Sequence, residues 1–552
     1  MGDGSESRRG LMLLLAVLLV SILFRFPNLE LMPFWMWDEG VNMNISWNLS
    51  EGRMQWFTLT YPFIPHPPLF FIVSALLLKL SGNYLVYMRL LTALYGVWTT
   101  FMLYLLGKEA FDSRTGLVAA LLFAVYPWAV YFNRMAYANN QLMFLYILSM
   151  YLLLRFHKTG GEKWLILSAF TSSLALLTEY TGIALVVSVL YICYLKRKDL
   201  LVKALVLSLG PFLLFIAVML FLMPEAFTRD LMFTLERFRK AVTGLLIAAV
   251  SYLVYRYLLR KQVSGLVKHA ITFYRGIILT AVHWRGETSG EEKIQRARIN
   301  LMLSLSFISL MIIYLSLQSL SVKAFFESLD FYWLGIFGFL LIKNQEIRDL
   351  MLVFIIPLFL VIGGFGRLDH MIIPLYPLFA LGLGLLLGEI YLFMVSLFSW
   401  NTIIKLLVFG ILVYPFTYIA WMDYETFILG DNPLVASEDI GARLNVSSYV
   451  NSRVGGDDLV LADSNFIRFL DGRVSVILQS VAIEGRDVLY MSGDYGSNRF
   501  THNCSYRKAR FIVIQEQYTP WLDVNCPQVV RHLEDCALRE INGFRVYECL
   551  TS

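Results

Sequence analysis

Apolar runs of about 15 to 25 residues recur along this chain, with only short polar links between them. Each is near the length a helix needs to cross the roughly 30 Å hydrocarbon core of a bilayer. They fall near 10–26, 85–106, 115–132, 139–156, 164–178, 182–195, 201–223, 241–258, 300–318, 331–342, 350–364, 371–394 and 402–421. That spacing predicts a polytopic α-helical membrane protein of about thirteen transmembrane helices. Composition agrees. Of 552 residues, 58% are hydrophobic and only 16% are charged, against about a quarter charged in soluble chains. Mean hydropathy is +0.62. The net charge of +5 says little, because the placement of Lys and Arg decides more here than their sum. No basic tail or nucleic-acid module is visible.

Placement of positive charge sets the expected topology. Arg8 and Arg9 precede the first run, and "FRFPNLELMPFW" follows it without a small-residue cleavage site. This reads as an uncleaved first span with its N-terminus inside. The stretch "HPPLFFIVSALLLKLSG", 66–82, is apolar for only about fifteen residues before Lys79, roughly 22 Å as a helix. Lying flat, it leaves the loops Lys108–Arg114, Arg155–Lys163 and Lys196–Lys203 cytoplasmic; spanning, it puts all three outside. The positive-inside rule favours the flat arrangement. Loops 27–84, 133–138, 179–181, 224–240 and 365–370, and everything after 422, then face outside. The basic region 262–298 reads as an interfacial helix plus loop whose side the sequence does not fix.

On this topology one face gathers the unusual polar residues. In "FWMWDEGVNMNIS", Asp38 and Glu39 stand side by side. Asp38 is expected to cap a short helix from Glu39 to Glu51, stopped by Gly52. Val41, Ile45 and Leu49 give it an apolar stripe suited to the membrane interface. The plain alternative is a solvated loop acid beside an ordinary helix cap, but the pair is framed by Trp35, Trp37, Tyr61 and the rigid "PHPPL" with His66. Glu179 in "LLTEYTG" is an acid at membrane depth, which usually faces a cavity or a partner; the bland reading is a wet turn. Arg134 and Arg89 have the plain reading of snorkelling arginines. Arg367, Asp369 and His370, in "GGFGRLDHMIIPLYP", have that of a hairpin with a salt bridge.

These residues carry a resemblance. "WDEG", a helix ending "SEGR", and "YPFIPHPPL" resemble the first outer loop of the GT-C glycosyltransferases of the protein O-mannosyltransferase and aminoarabinose-transferase group. "YMRLLTALYGVWTTFMLYLLGKEAFDSRTGLVAALLFAVYPWAVYFNRMAYANN" is similar to that group's second and third spans, and "FGRLDHMIIPLYPLFALGLGLLL" to a late span. The resemblance covers roughly 10–422. It implies a sugar taken from a polyprenyl-phosphate carrier, such as dolichyl phosphate mannose, and transferred on the outer face to an acceptor hydroxyl on a protein, glycolipid or lipid-linked glycan. It implies Asp38 as general base and Glu39 as its neighbour. A carboxylate can take the hydroxyl proton and stabilise an oxocarbenium-like sugar, while the leaving phosphate needs a cation. Arg367 is the first choice for that cation, then Arg134 and Arg89, with His370 beside them. Tyr61, His66, Glu179, Asn139 and Asn140 are candidates for the sugar and acceptor pocket. One base opposite the leaving group predicts inversion. Three positions depart from the group's pattern. Asn139 stands where an acid is common, Glu179 where a lysine is usual and His370 where a tyrosine is frequent. Glu179 could supply the displaced acid. A divalent metal stays open; His66, Glu39, Glu179 and His370 could approach one ion.

From about 423 the chain turns polar. "DLVLAD", "VSVIL", "RFIVIQ" and "FRVYEC" read as strands, and "SEDIGARLNVSSYVNSRVG" and "PQVVRHLEDC" as helices, giving an expected outer α/β domain over 423–552 after a membrane domain over 1–422. Four of five cysteines lie in it, which suggests an oxidising compartment. Asn542-Gly543 signals a two-residue hairpin. Pairing Ile541 with Phe544 and counting outward brings Cys536 opposite Cys549 at a non-hydrogen-bonded position, where Cα atoms come within about 4.5 Å. The expected disulfides are Cys536–Cys549 and, of the remainder, Cys504–Cys526. Glycosylation sequons occur at Asn44, Asn48, Asn445 and Asn503. The integral membrane is of the cell-surface or endoplasmic-reticulum type. Rival classes are a transporter, for which no internal repeat is seen, and a scaffold in which the acids are dispensable. The absence of "WWDYG" argues against an oligosaccharyltransferase.

Overall fold

A computed structural model describes residues 3–30, 37–52, 67–82, 85–222, 331–365, 369–397, 402–429, 440–475 (less 457, 468 and 472) and 506–549, with scattered positions at 33 and between 223 and 232. The fold is a helical bundle followed by a small sheet. Helix α1 (Asp3–Arg25) leads to α2 (Trp37–Ser50) and α3 (Leu69–Leu80). The long α4 (Val86–Ala110) packs on α5 (Ser113–Ala124), α6 (Pro127–Asn133) and α7 (Ala138–Thr159). Next come α8 (Glu162–Thr178), α9 (Ile183–Lys196) and α10 (Leu201–Leu222). After residue 330 follow a 3-10 helix (Phe331–Leu341), α11 (Gln345–Phe365), α12 (Tyr376–Leu397) and α13 (Thr402–Asp423).

Every expected apolar segment within the described residues is helical. Segments 241–258 and 300–318, and the region 262–298, lie outside them. Among the described residues, four stretches are long and apolar enough to cross a membrane: Val86–Ala110, Lys198–Leu222, His370–Leu392 and Lys405–Leu429. The others are shorter or less apolar. Leu213, Leu214 and Phe221 of α10, and Ile403, Leu406 and Ile411 of α13, are exposed, the surface a helix turns to lipid rather than to water.

Three expectations change. The span expected over 115–132 is broken, with α5 and α6 meeting at 64°. Pro127 causes this: it pushes the residue before it out of the helical region, and Tyr126 has φ −75° and ψ 112°. The segment 331–342 winds as a 3-10 helix whose Gly335 and Gly338 press against α12. A Cβ at Gly335 would meet the Phe379 carbonyl, and one at Gly338 the backbone of Gly382. Small residues permit this closeness where helices gain most from packing. Helix α3 is 12 residues, about 18 Å, too short for a 30 Å core.

The third change concerns α2. It starts at Trp37, so Asp38 and Glu39 lie in its first turn instead of Asp38 capping it from outside. It ends as expected, at Gly52 with φ +75°, where a side chain is disfavoured. Its apolar stripe does not lie on lipid. Val41 and Ile45 are buried against Phe70 and Phe71 of α3 and Met88 of α4. Its polar side is buried too. Asn44 and Asn48 are almost wholly enclosed, and the Asn48 amide donates to Asn44 Oδ1 at 2.7 Å. The folded helix has no room for a glycan at either sequon. Asn445 is exposed, and Asn503 lies outside the described residues.

Among the described residues, the C-terminal α/β region forms a five-stranded sheet of order β2-β1-β3-β5-β4. Its strands are β1 (Leu459–Leu461), β2 (Arg473–Ser475), β3 (Ala509–Gln515), β4 (Ala537–Ile541) and β5 (Phe544–Glu548). Helix α14 (Ile440–Asn451) packs on the core around Val460, Phe511 and Val546. The hairpin has the register read from the sequence, Ile541 opposite Phe544, with Asn542 at φ 47° and Gly543 at φ 81°. Cys536 and Cys549 are disulfide-bonded with Cα atoms 4.5 Å apart. The other expected pair includes Cys504, outside the described residues. Because the bond closes a loop of 13 residues, replacing both cysteines by serine should destabilise this region by about 3 kcal/mol. Protease susceptibility of the full-length protein against urea measures it; an unshifted midpoint contradicts it.

Candidate active site

Helix α2 brings two consecutive carboxylates to one N-terminus, where the helix dipole favours negative charge. Successive residues on a helix are turned by about 100°, so the two point apart. Glu39 points inward and is fully buried. Arg89 of α4 grips it with two bonds, Nε to Oε1 at 2.7 Å and Nη2 to Oε2 at 2.6 Å. The Arg89 Nη1 donates to the Leu29 carbonyl at 2.8 Å. The Ala136 N–H donates to Glu39 Oε1 at 2.8 Å, and the Asn42 amide returns to the Ala136 carbonyl at 3.0 Å. A buried charge survives only with such pairing.

Asp38 points the other way. Its side chain is 47% exposed, with Oδ2 3.7 Å from His370 Nδ1. That is too long for a direct hydrogen bond and right for a charge contact or a bridging water. His370 sits in the 3-10 turn Asp369–Leu375 and lies flat on Tyr137, with ring centres 5.0 Å apart and planes 8° apart. Tyr137 precedes α7 in the loop that also supplies Ala136. Burial, and then the negative charge of Asp38 and Glu39, push its hydroxyl well above the usual range, so the phenol stays neutral.

A second layer holds that loop. The Asn140 amide donates to the carbonyls of Phe132, Met135 and Tyr137. Asn133 Nδ2 donates to Asn140 Oδ1 at 2.7 Å, and Arg25 Nε to Asn133 Oδ1 at 2.9 Å. Arg25 also holds the carbonyls of Phe123 and Ala124 at the α5–α6 break. Gly96 makes this possible: a Cβ there would stand 2.7 Å from Arg25 Nε, and closer still to Asn133. Arg134 is wholly buried. It donates to the carbonyls of Phe24 and Pro27 and lies over the Phe427 ring. Asp423, at the end of α13, lies within electrostatic reach of both Arg25 and Arg134.

Two of the three arginines expected to share a donor phosphate therefore have other partners. Arg89 is joined to Glu39 and Arg134 to the α1 terminus, and Asn140 binds the loop instead of lining a pocket. Asn139 is buried in the first turn of α7. Glu179 follows α8 and precedes the turn Tyr180–Gly182. Helices α7 and α8 are neighbours with Ser149 against Ser168, Oγ to Oγ 2.8 Å. Counting in opposite directions from that contact puts Glu179 level with Ala138, at the depth of Tyr137. Burial raises its carboxyl to about 8. Arg367, Tyr61 and His66 lie outside the described residues. Among the described residues no set of metal ligands forms at this site: Glu39 is taken by Arg89, and the one three-ligand group, His532, Cys536 and Cys549, contains the disulfide. Sequence reading missed Arg25, Asn133, Tyr137 and Asp423. Arg25 and Asp423 stand at span ends, where a charge reads as a mere boundary.

Several known proteins share features with this chain. A family model described as dolichyl-phosphate-mannose-protein mannosyltransferase matches residues 65–227. No curated protein matches the chain by sequence. ArnT from Cupriavidus metallidurans in the apo state has a TM-score of 0.53 at 13% identity, over 99% of each chain. The same protein bound to undecaprenyl phosphate has a TM-score of 0.51 at 13% identity, over 100% of this chain and 99% of that one. The apo oligosaccharyltransferase of Archaeoglobus fulgidus has a TM-score of 0.53 at 12% identity, over 98% of this chain and 74% of that one. At such identities the likeness is one of fold.

The ion pair at the centre of the site gives a direct test. Arg89→Ala leaves Glu39 charged in a closed interior and should cost about 3–5 kcal/mol. Arg89→Met combined with Glu39→Met should cost clearly less than Arg89→Ala. Thermal unfolding in detergent compares them; equal losses would mean that the pairing is not what matters.

Proposed function

Starting from the GT-C fold, shared with ArnT and the archaeal oligosaccharyltransferase, we propose that this chain is a membrane glycosyltransferase. It moves a sugar from a polyprenyl (dolichyl or undecaprenyl) phosphate to an acceptor hydroxyl on the extracytoplasmic face. The lipid donor is supported by the ArnT structure bound to undecaprenyl phosphate, by an archaeal oligosaccharyltransferase complex containing dolichol-phosphate, and by the mannosyltransferase family match. The observation that carries the reading is the split carboxylate pair. Glu39 is closed off by Arg89, while Asp38 stands half exposed beside His370.

In the proposed reaction Asp38 takes the acceptor O–H proton as the acceptor oxygen bonds to the anomeric carbon. The bond from that carbon to the phosphate oxygen breaks, and its electron pair leaves with the lipid phosphate. Attack opposite the leaving group inverts the anomeric centre. His370, three positions after Arg367 in sequence, and Arg367 itself are assigned to the departing phosphate. A hydroxyl on a protein or glycolipid is the proposed acceptor. The test is transfer from labelled polyprenyl-phosphate sugars by purified protein. Asp38→Asn should lower turnover by about 10²–10⁴-fold, and product NMR should show the inverted anomer. Equal transfer by the mutant, or none from any donor, sinks the proposal.

Glu179 is assigned a hydrogen bond to the donor in its neutral form. Its carboxyl is raised to about 8 by burial, so it is protonated at pH 7 and ionises as pH climbs through 8. Transfer should therefore fall on the alkaline side. Glu179→Gln stays neutral and should remove that fall, whereas Glu179→Leu should lose activity at every pH. An alkaline limb unchanged in Glu179→Gln would rule this role out.

A further inference from the structure

Helix α2 is enclosed on its polar and its apolar side, and the C-terminal α/β region supplies part of the enclosure. Its short 3-10 turn Ser464–Phe466 contacts α2 directly. Phe466, the last residue of that turn, and Ile467, the next residue, are buried in different clusters. Phe466 is buried in the core of the sheet region, edge-on to Phe544 with ring centres 5.3 Å apart. Ile467 is buried in a different cluster, with Val41, Met43 and Ile45 of α2, Phe70 of α3 and Met88 of α4. Met88 precedes Arg89, and Val41 comes two residues after Glu39. Ile467 thus belongs to the cluster that packs α2 against α3 and α4.

The turn itself is stiffened from behind. Arg443 of α14 is nearly fully buried and holds Asp463 with two bonds from Nη1, 3.0 and 2.9 Å. Its guanidinium lies over Phe466 and Phe544, 4.8 and 5.1 Å from the ring centres. Asp463 Oδ1 accepts the Asn465 N–H at 2.9 Å. Asn451 brackets the far side, donating to the Phe469 carbonyl at 2.8 Å and accepting from the Asp471 N–H at 3.0 Å. A loop tip meant only to cover a surface needs no such bracing.

We propose that the C-terminal α/β region is a positioning partner of the active site, with Ile467 as the contact that seats α2 and thereby fixes the carboxylate of Asp38. Ile467 touches neither donor nor acceptor and acts through α2. A general base misplaced by about 1 Å loses much of its effect, so a looser α2 lowers turnover while leaving donor binding at other elements. The activity arm of this inference rests on the transferase reading; the exchange arm below does not.

The test compares Ile467→Asp and Ile467→Val in the full-length protein. Hydrogen exchange of the α2 amides should speed up about tenfold or more in Ile467→Asp and stay unchanged in Ile467→Val. Turnover should fall about tenfold or more in Ile467→Asp, with KM for the lipid-linked donor within about twofold and unfolding of the sheet region unmoved. If Ile467→Asp does not fold, Ile467→Ala with the same readouts takes its place. Unchanged exchange in α2 overturns the inference, as does a rise in donor KM with turnover intact. If the wild-type protein transfers no sugar, the transferase reading falls and exchange alone decides the positioning.

Discussion

The structure around the site depends on one buried ion pair. Arg89 spends its guanidinium on both oxygens of Glu39 and on the Leu29 carbonyl. Those bonds join α4, α2 and the link between α1 and α2. Through Ala136 they also reach the loop before α7. Removing two charges from water is costly, and a buried pair is poor evidence for stability as such. Its value lies in geometry, since a bidentate contact fixes both distance and angle. Apolar contacts between α2, α3 and α4 would tolerate a sliding helix; the fork on Glu39 does not.

That fork is the end of a longer chain of hydrogen bonds. Arg25 holds Asn133, Asn133 holds Asn140, Asn140 holds the carbonyls on both sides of Ala136, and Ala136 holds Glu39. In a low-dielectric interior each such bond is strong and each unmade one expensive. The kink at Pro127 lets the chain form. Pro127 ends α5 early and has no N–H to return to Phe123, whose carbonyl keeps only a 3.3 Å bond from the Tyr126 N–H, and Arg25 takes the carbonyls of Phe123 and Ala124. A continuous span over 115–132 would have kept those carbonyls for itself.

Much of this was legible in the sequence, for identifiable reasons. Hydropathy placed the described helices because a bilayer admits few other structures. The hairpin and its disulfide followed from Asn542-Gly543, because side-chain alternation leaves one register for a two-residue turn. Asp38 and Glu39 stood out because adjacent carboxylates beside a span are costly. What the sequence hid was which charges find each other. Arg89 and Arg134 looked like free cations, since their partners are 50 residues away in one case and backbone carbonyls in the other. The enclosure of α2 was hidden as well. Asn44 and Asn48 were legible only as glycosylation sequons, and only the tertiary fold buries them and brings Ile467 into the cluster around the helix.

The two acids of the pair must behave differently if one is to act as a base. Two ionised neighbours repel, and either could then take up the proton. Here Arg89 holds Glu39 in the interior, so one carboxylate of the pair, that of Asp38, is left half exposed. Asp38 in turn sits against His370, a ring held flat by Tyr137, and Tyr137 belongs to the same loop that binds Glu39. The element that commits Glu39 to structure thereby also orders the surroundings of Asp38. Adjacent residues in the sequence become unlike groups because a helix turns them apart and a single arginine claims one.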